Sequence, residues 1–116
     1  PAYLPPLQVC VQVNVSGETS KSGCAPGEAQ ELCRAVAALP GLQLRGLMAI
    51  PEPTDDLQAQ RIPFRKLREL SEQICAAGLP LDTLSMGMSH DLEAAVAEGA
   101  TIVRIGTAIF GERNYA

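Results

Sequence analysis

The chain has 116 residues, 47% of them hydrophobic, and its 9 basic and 13 acidic side chains give a formal charge of −4. This acidity argues against a general nucleic-acid binder, and a 3% aromatic content without tryptophan argues against a base-stacking platform. No apolar run reaches the roughly 18 residues of a membrane span and no signal segment opens the chain. We therefore expect one soluble, cytoplasmic domain without membrane contact.

The first third of the chain predicts a strand followed by a helix. Residues 7–15 (LQVCVQVNV) are apolar at nearly every second position and rich in β-branched side chains, which is typical of a strand. After a polar loop, Pro26 and Glu28 suit the first turn of a helix, and Pro40 and Gly41 end it. The apolar stripe of this helix is Ala29, Leu32, Cys33, Val36 and Leu39.

The same pattern then repeats. Residues 42–50 (LQLRGLMAI) and 81–86 predict two further strands, and residues 57–77 predict a helix between them. Pro63 either kinks this helix or marks its true start. The predicted buried face of this helix is Phe64, Leu67, Leu70 and Ile74.

The last third predicts a short helix and a fourth strand. Ser89 can cap this helix and Gly99 stops it, and residues 101–105 (TIVRI) form the strand. The predicted inward stripe of the short helix is Leu92, Ala95 and Val96.

Four strands alternating with three helices predict an α/β fold with parallel strands and right-handed crossovers. Two architectures fit this order, an open doubly wound sheet or part of a (β/α)₈ TIM barrel. A whole barrel takes about 250 residues, so four β/α steps in this length make close to half of one.

In both architectures ligands bind at the carboxyl ends of the strands, where two segments stand out. In SMGMS (residues 85–89), Ser89 can hold a phosphate at a helix N-terminus, although a plain capping role is more common. In RIGTAIFG (residues 104–111), Arg104 needs an anionic or acceptor partner if it lies inside the sheet, and Gly106 and Thr107 offer donors beside it. Asn14 ends the first strand and is predicted to line the same site.

The four cysteines and the single histidine do not suggest a metal or disulfide site. The cysteines lack CxxC spacing and lie in apolar segments, so we expect reduced thiols and no bound metal. His90 shows no partner in the sequence that would make it a general base.

The segments NVSGETSKSG, LRGLMAIPEP and LSMGMSHDLEAAVAEGATIVRIGTAIFGERNY resemble the C-terminal half of the pyridoxal-5′-phosphate (PLP) homeostasis protein family, of the YggS/PROSC type. The resemblance spans residues 7–115. It implies the alanine racemase N-terminal-domain fold, a single fold-type III (β/α)₈ barrel that holds PLP, of which residues 1–116 would be the C-terminal half.

The resemblance also implies roles for particular residues. Ser89 would bind the PLP phosphate through its hydroxyl group and the helix N-terminus, and Gly106 and Thr107 would donate to the same phosphate. Arg104 matches the arginine that approaches the pyridine nitrogen and weakens the ring as an electron sink. Met86 is predicted to pack near the cofactor or to fill the core.

One departure from the family is large, because its Schiff-base lysine belongs to an N-terminal half that this sequence lacks. Neither Lys21 nor Lys66 lies in a matching motif, so neither is assigned. We expect a non-catalytic PLP carrier whose open half-barrel pairs with the missing N-terminal half or with a second copy of the chain. The alternatives are a fragment of a PLP-dependent racemase or decarboxylase of the same fold, and a generic phosphate-binding barrel fragment.

Overall fold

The computed structural model describes residues 5–16 and 22–104. Strands and helices alternate along them. The elements are β1 (Leu7–Gln12), α1 (Ala29–Ala37), β2 (Leu42–Ala49), α2 (Leu57–Ala76), β3 (Thr83–Met86) and α3 (Leu92–Ala97). Single 3₁₀ turns, Pro26–Glu28 and Ser89–Asp91, lead into α1 and α3. The predicted alternation is confirmed from β1 to α3.

The strands form a parallel sheet in the order β1-β2-β3. The predicted fourth strand, residues 101–105, is described only to residue 104, and there Ile102 pairs with Ser85 of β3 through a single parallel bridge. Each successive strand therefore joins the sheet beside the previous one. This progression occurs in a barrel and also in one half of a doubly wound sheet.

A bulge in β2 brings a charged residue and a glycine together in the sheet. Leu44 and Gly46, on either side of Arg45, pair with the consecutive β1 residues Val9 and Cys10. Arg45 is therefore the extra residue of the bulge. The Arg45 guanidinium forms an ion pair with Asp82, with Nη2 2.5 Å from Oδ2. A Cβ atom at Gly46 would lie 1.7 Å from the carbonyl oxygen of Thr83, so the strands can approach this closely only because the residue is glycine.

The hydrophobic core lies between the sheet and the helices. The predicted face of α2 is confirmed, since Phe64, Leu67 and Ile74 are fully buried and Leu70 packs against them. The buried apolar residues are Val11, Val13, Val15, Ala29, Cys33, Leu47, Ala49, Phe64, Leu67, Ile74, Leu84, Met86, Ala94 and Ala95.

The predicted stripes of the two short helices are partly wrong. Leu32 and Leu39 near α1 are 41% and 50% exposed, and Val96 of α3 is 60% exposed. The buried positions of these helices are small residues: Ala29 and Cys33 in α1 and Ala95 in α3, as predicted, and also Ala94. Small side chains let a helix lie close to its neighbours, so that only a narrow strip of it is covered.

Helix α2 runs through its proline. Asp56 caps the helix by accepting the Gln58 N–H at 3.0 Å, and Pro63 lies in the second turn. The alternative in which Pro63 begins the helix is therefore wrong. Although α2 has 20 residues, no helix of the described segments is apolar over enough of its length to span a membrane.

Candidate functional site

A pocket lies at the carboxyl ends of β2 and β3, the edge of the sheet where ligands were expected. The strand ends, the connection that follows β3 and Arg104 form its walls. Its lining residues are Met48, Ala49, Ile50, Pro51, Ser85, Met86, Gly87, Met88, His90, Asp91 and Arg104. Two of the six predicted site residues, Met86 and Arg104, line this pocket, and Ser89 lies between two residues that line it.

The turn after β3 differs in detail from the prediction. Ser89 was expected to be the cap, but it is the first residue of the 3₁₀ turn, and Met88 occupies the capping position in an extended conformation. The capping contact comes from Asp91, whose Oδ1 accepts the Met88 N–H at 2.6 Å. The side chain that closes the turn is therefore the Asp91 carboxylate, three residues after the capping position, and not the Ser89 hydroxyl group.

Gly87 shapes the start of this turn. Its φ is 105°, in the left-handed region, and a Cβ atom there would lie 2.5 Å from the Ala95 Cβ atom and 3.2 Å from the Val103 Cγ1 atom. The backbone thus packs directly on α3 and on the segment that leads to Arg104. Both the conformation and the packing require glycine at this position.

Arg104 lies on the open side of the sheet. Ile102 and Arg104 are exposed and Val103 between them is half-buried. The Arg104 N–H donates to the Gly87 carbonyl at 3.0 Å, which attaches this segment to the turn. The Arg104 side chain is exposed, because residues 5–16 and 22–104 do not cover this face of the sheet. An exposed guanidinium does not need the protein partner that a buried one would need.

The other predicted residues are placed less centrally. Met86 is 2% exposed and belongs to the core, and Met88 next to the turn is 39% exposed. Asn14 follows β1 and does not line this pocket; its N–H donates to the Cys24 carbonyl at 2.8 Å and its Oδ1 accepts the Ser16 N–H at 3.2 Å. Contacts of Met86 and Asn14 with a cofactor stay predictions.

The second predicted loop lies outside the described residues. Gly106 and Thr107 therefore stay predictions as phosphate donors. Within the described segments, no group of three or more His, Cys, Asp or Glu side chains is arranged to hold a metal ion.

His90 and Asp91 contribute to the pocket although the sequence did not predict it. Both line the pocket, and the His90 Nε2 atom lies 3.5 Å from the Asp91 Oδ2 atom, so the histidine does have a neighbouring carboxylate. The signal available in the sequence was the acidic residue three positions after Met88, which is the spacing of a capping box.

An ion cluster that the sequence analysis also missed fixes α3 against α2. Glu98, 2% exposed, accepts from Arg61 at 2.8 Å and from Arg65 and Arg68 at 3.2 Å each. The hydrogen bond from Arg65, helped by those from the other two guanidinium groups, lowers the pKa of Glu98 to about 2. Because α3 follows the turn directly, this cluster holds one end of the element that carries the turn.

The sequence profile of the alanine racemase N-terminal domain matches residues 2–114. The chain belongs to this family. Membership decides between the two architectures that the sequence left open, in favour of the alanine racemase N-terminal domain fold over the doubly wound sheet.

Curated relatives and solved structures agree with this placement. A pyridoxal phosphate homeostasis protein of Pseudomonas aeruginosa is 65% identical over 115 residues, which are 99% of this chain and 49% of that protein. PipY of Synechococcus elongatus PCC7942, with PLP bound, superposes with a TM-score of 0.77 at 31% identity over 92% of this chain and 50% of PipY. The chain thus spans about half the length of these relatives.

A diaminopimelate decarboxylase of Helicobacter pylori superposes with a TM-score of 0.68 at 15% identity, over 87% of this chain and 33% of that one. At this identity the likeness shows a shared fold and carries no information about the reaction.

Proposed function

We propose that the full-length protein containing this chain binds PLP and maintains the intracellular supply of PLP, without a committed enzymatic reaction of its own. The observation that carries the proposal is the pocket between Arg104 and the turn after β3. It combines the positive charge of Arg104 with a glycine, Gly87, that lets the turn lie close to the neighbouring elements. Ser89 stands in the same turn, between the lining residues Met88 and His90. The relatives named for PLP homeostasis and the PLP-bound PipY structure support this choice of ligand.

The residues present suit a phosphorylated pyridine. The first turn of a helix directs N–H groups and partial positive charge toward an anion, and Ser89 stands at the first position of that turn. We assign Ser89, Gly106 and Thr107 to the phosphate and Arg104 to the pyridine nitrogen. When bound, PLP supplies an aldehyde that reacts with amines and a ring that can withdraw electrons.

The rest of the barrel completes this proposal. We propose that residues 1–116 form the C-terminal half of a (β/α)₈ barrel, and that the N-terminal half supplies the lysine that binds PLP covalently. The N-terminal half would then cover the open face on which Ile102 and Arg104 lie; a second copy of the chain is the other possible cover. Among the described residues β1 lies at one edge of the sheet and the segment 101–104 lies beside β3 at the other. These edges are where a further strand would pair.

Replacing one phosphate donor tests the cofactor assignment. In the full-length protein, Ser89→Ala should weaken PLP retention by about 1.5–3 kcal/mol, the range of a lost hydrogen bond to a charged group, which is roughly 10- to 150-fold in the dissociation constant. PLP release can be followed by absorbance during dialysis or by transfer to an apo-enzyme.

Ser71→Ala is the matched control, because it removes the same hydroxyl group from the middle of α2, where Ser71 does not line the pocket. It should leave PLP retention unchanged, whatever its effect on stability. Thr107→Val should behave as Ser89→Ala does. Retention at the wild-type level in both Ser89→Ala and Thr107→Val would remove the phosphate assignment.

Borohydride reduction followed by peptide mass analysis tests the division between the two halves. We expect the reduced PLP–lysine adduct on a peptide outside residues 1–116. A stoichiometric adduct on Lys21 or Lys66 would contradict the half-barrel assignment. Turnover of amino acids by the loaded protein, as racemisation or loss of carbon dioxide, would favour the enzymatic alternative over the carrier.

A further inference from the structure

Asp91 lies next to the proposed phosphate site, although its charge is unfavourable there. Asp91 is only 7% exposed, and it lines the same pocket as Arg104. A buried carboxylate is costly unless its oxygens are hydrogen-bonded, and a negative charge next to a bound phosphate repels it. The presence of this carboxylate therefore needs an explanation other than attraction of the ligand.

The contacts of Asp91 close the turn on itself. Its Oδ1 accepts the Met88 N–H at 2.6 Å, and its own N–H donates to the Met88 carbonyl at 3.2 Å. Its Oδ2 lies 3.5 Å from the Nε2 atom of His90. Two backbone-directed bonds thus join the residues on either side of the Ser89–His90 pair. Ser89 lies inside the loop that these two bonds close.

The surroundings of the turn are fixed as well. Gly87 packs on Ala95 of α3, and the Gln60 side chain of α2 donates to the His90 carbonyl at 3.4 Å. Within the turn, the Asp91 carboxylate holds the Met88 N–H. A short N–H···O⁻ bond is roughly twice as strong as a neutral one.

We infer that Asp91 is a positioning residue, whose carboxylate holds the Met88 N–H so that Ser89 presents its hydroxyl group and N–H to a bound phosphate. This inference rests on the proposed function and deepens it. It makes a prediction opposite in sign to simple charge repulsion. Repulsion predicts that removal of the carboxylate tightens anion binding, and positioning predicts that it weakens binding.

The test measures binding of PLP and of inorganic phosphate to the full-length protein by isothermal titration calorimetry. Asp91→Ala removes the acceptor and should weaken binding of both ligands by at least about tenfold. Asp91→Asn keeps an oxygen that can accept the Met88 N–H and loses the charge, so it should stay within about threefold of the wild type. Rescue by Asn separates loss of the hydrogen bond from loss of the charge.

Glu93→Ala is the matched control, since it removes the same charge from the first turn of α3, where Glu93 is exposed. It should bind both ligands as the wild type does. Thermal unfolding of each ligand-free variant shows whether a loss of affinity accompanies a loss of folding. If Asp91→Ala does not fold, Asp91→Glu replaces it, because its longer side chain keeps the charge and displaces the acceptor; it should also weaken binding about tenfold.

Wild-type or tighter binding by Asp91→Ala, or by Asp91→Glu where it is needed, would overturn the inference while the proposed function stands. A wild-type protein that binds neither PLP nor phosphate would overturn the proposed function and this inference with it.

Discussion

Gly46 and Gly87 occupy positions where a methyl group would overlap other atoms of the sheet region. At Gly87 the neighbour is the Ala95 side chain and φ is positive, so conformation and space act together. At Gly46 the neighbour is backbone, the Thr83 carbonyl of the adjacent strand, which cannot move without breaking the sheet. Gly46 therefore controls how closely β2 and β3 pair.

Gly46→Ala should destabilise the protein by more than about 3 kcal/mol, because the new Cβ atom would force β3 away from β2. Gly27→Ala is the control: no atom lies within 4 Å of a Cβ atom there, so stability should change by less than about 1 kcal/mol. Urea unfolding of both variants measures the two free energies. Equal stability of the two variants would show that the strands can separate at little cost.

At the scale of elements, an ion cluster joins α3 to α2. Three arginines at helical spacing on α2 surround Glu98 at the end of α3, and Glu98 is 2% exposed. The spacing of Arg61, Arg65 and Arg68 is visible in the sequence, but it is equally typical of a solvated helix face. Their common partner lies 30 or more positions away and becomes apparent only when the helices pack.

The Glu98 cluster should make stability depend on acid pH. The pKa of Glu98 is lowered from 4.5 to about 2 in the folded protein, so the unfolded chain binds the proton more readily. The stabilisation is present above pH 4.5 and is lost as the pH falls toward 2. The shift sets an upper bound of about 3 kcal/mol on this stabilisation, and the actual value is smaller because water around the partly exposed arginines screens the charges.

Urea unfolding at pH 7 and pH 3 measures this contribution in the wild type and in Glu98→Gln. The variant should be less stable at pH 7, and the difference from wild type should shrink at pH 3. Glu72→Gln removes an exposed carboxylate that pairs with Arg68, and it should cost less than about 0.5 kcal/mol at either pH. A pH-independent difference between wild type and Glu98→Gln would contradict the titration.

At the scale of the whole molecule, the regular elements were predictable and the contacts between them were not. Alternating and helical periodicity predicted β1 to α3 because each pattern is local. The exposure of Leu39 and Val96 depends on how near each helix lies to its neighbours, which the pattern does not contain. In the site, position at a strand end predicted Arg104. The roles of Asp91 and Gly87 follow from distances within a folded turn.

Ile102 offers a test of whether another half of the barrel covers the open face. It is 50% exposed and lines a groove with Cys10, Arg45 and Thr83, on the side of the sheet away from the helices. If the rest of the barrel covers this groove, Ile102 is buried in the full-length protein. Ile102→Asn should then cost more than about 2 kcal/mol, from lost apolar burial and an amide removed from water.

The control is Ile62→Asn on α2, because Ile62 is 52% exposed and Ile102 is nearly equally so, at 50%. It should change the free energy of unfolding by about 0.5 kcal/mol or less. Asparagine is used in place of aspartate because Arg45 lines the same groove and would pair with a new carboxylate. Thermal or urea unfolding of the full-length variants gives both values. Equally small effects at Ile102 and Ile62 would mean that water still reaches this face, and that neither an N-terminal half nor a second copy closes over it.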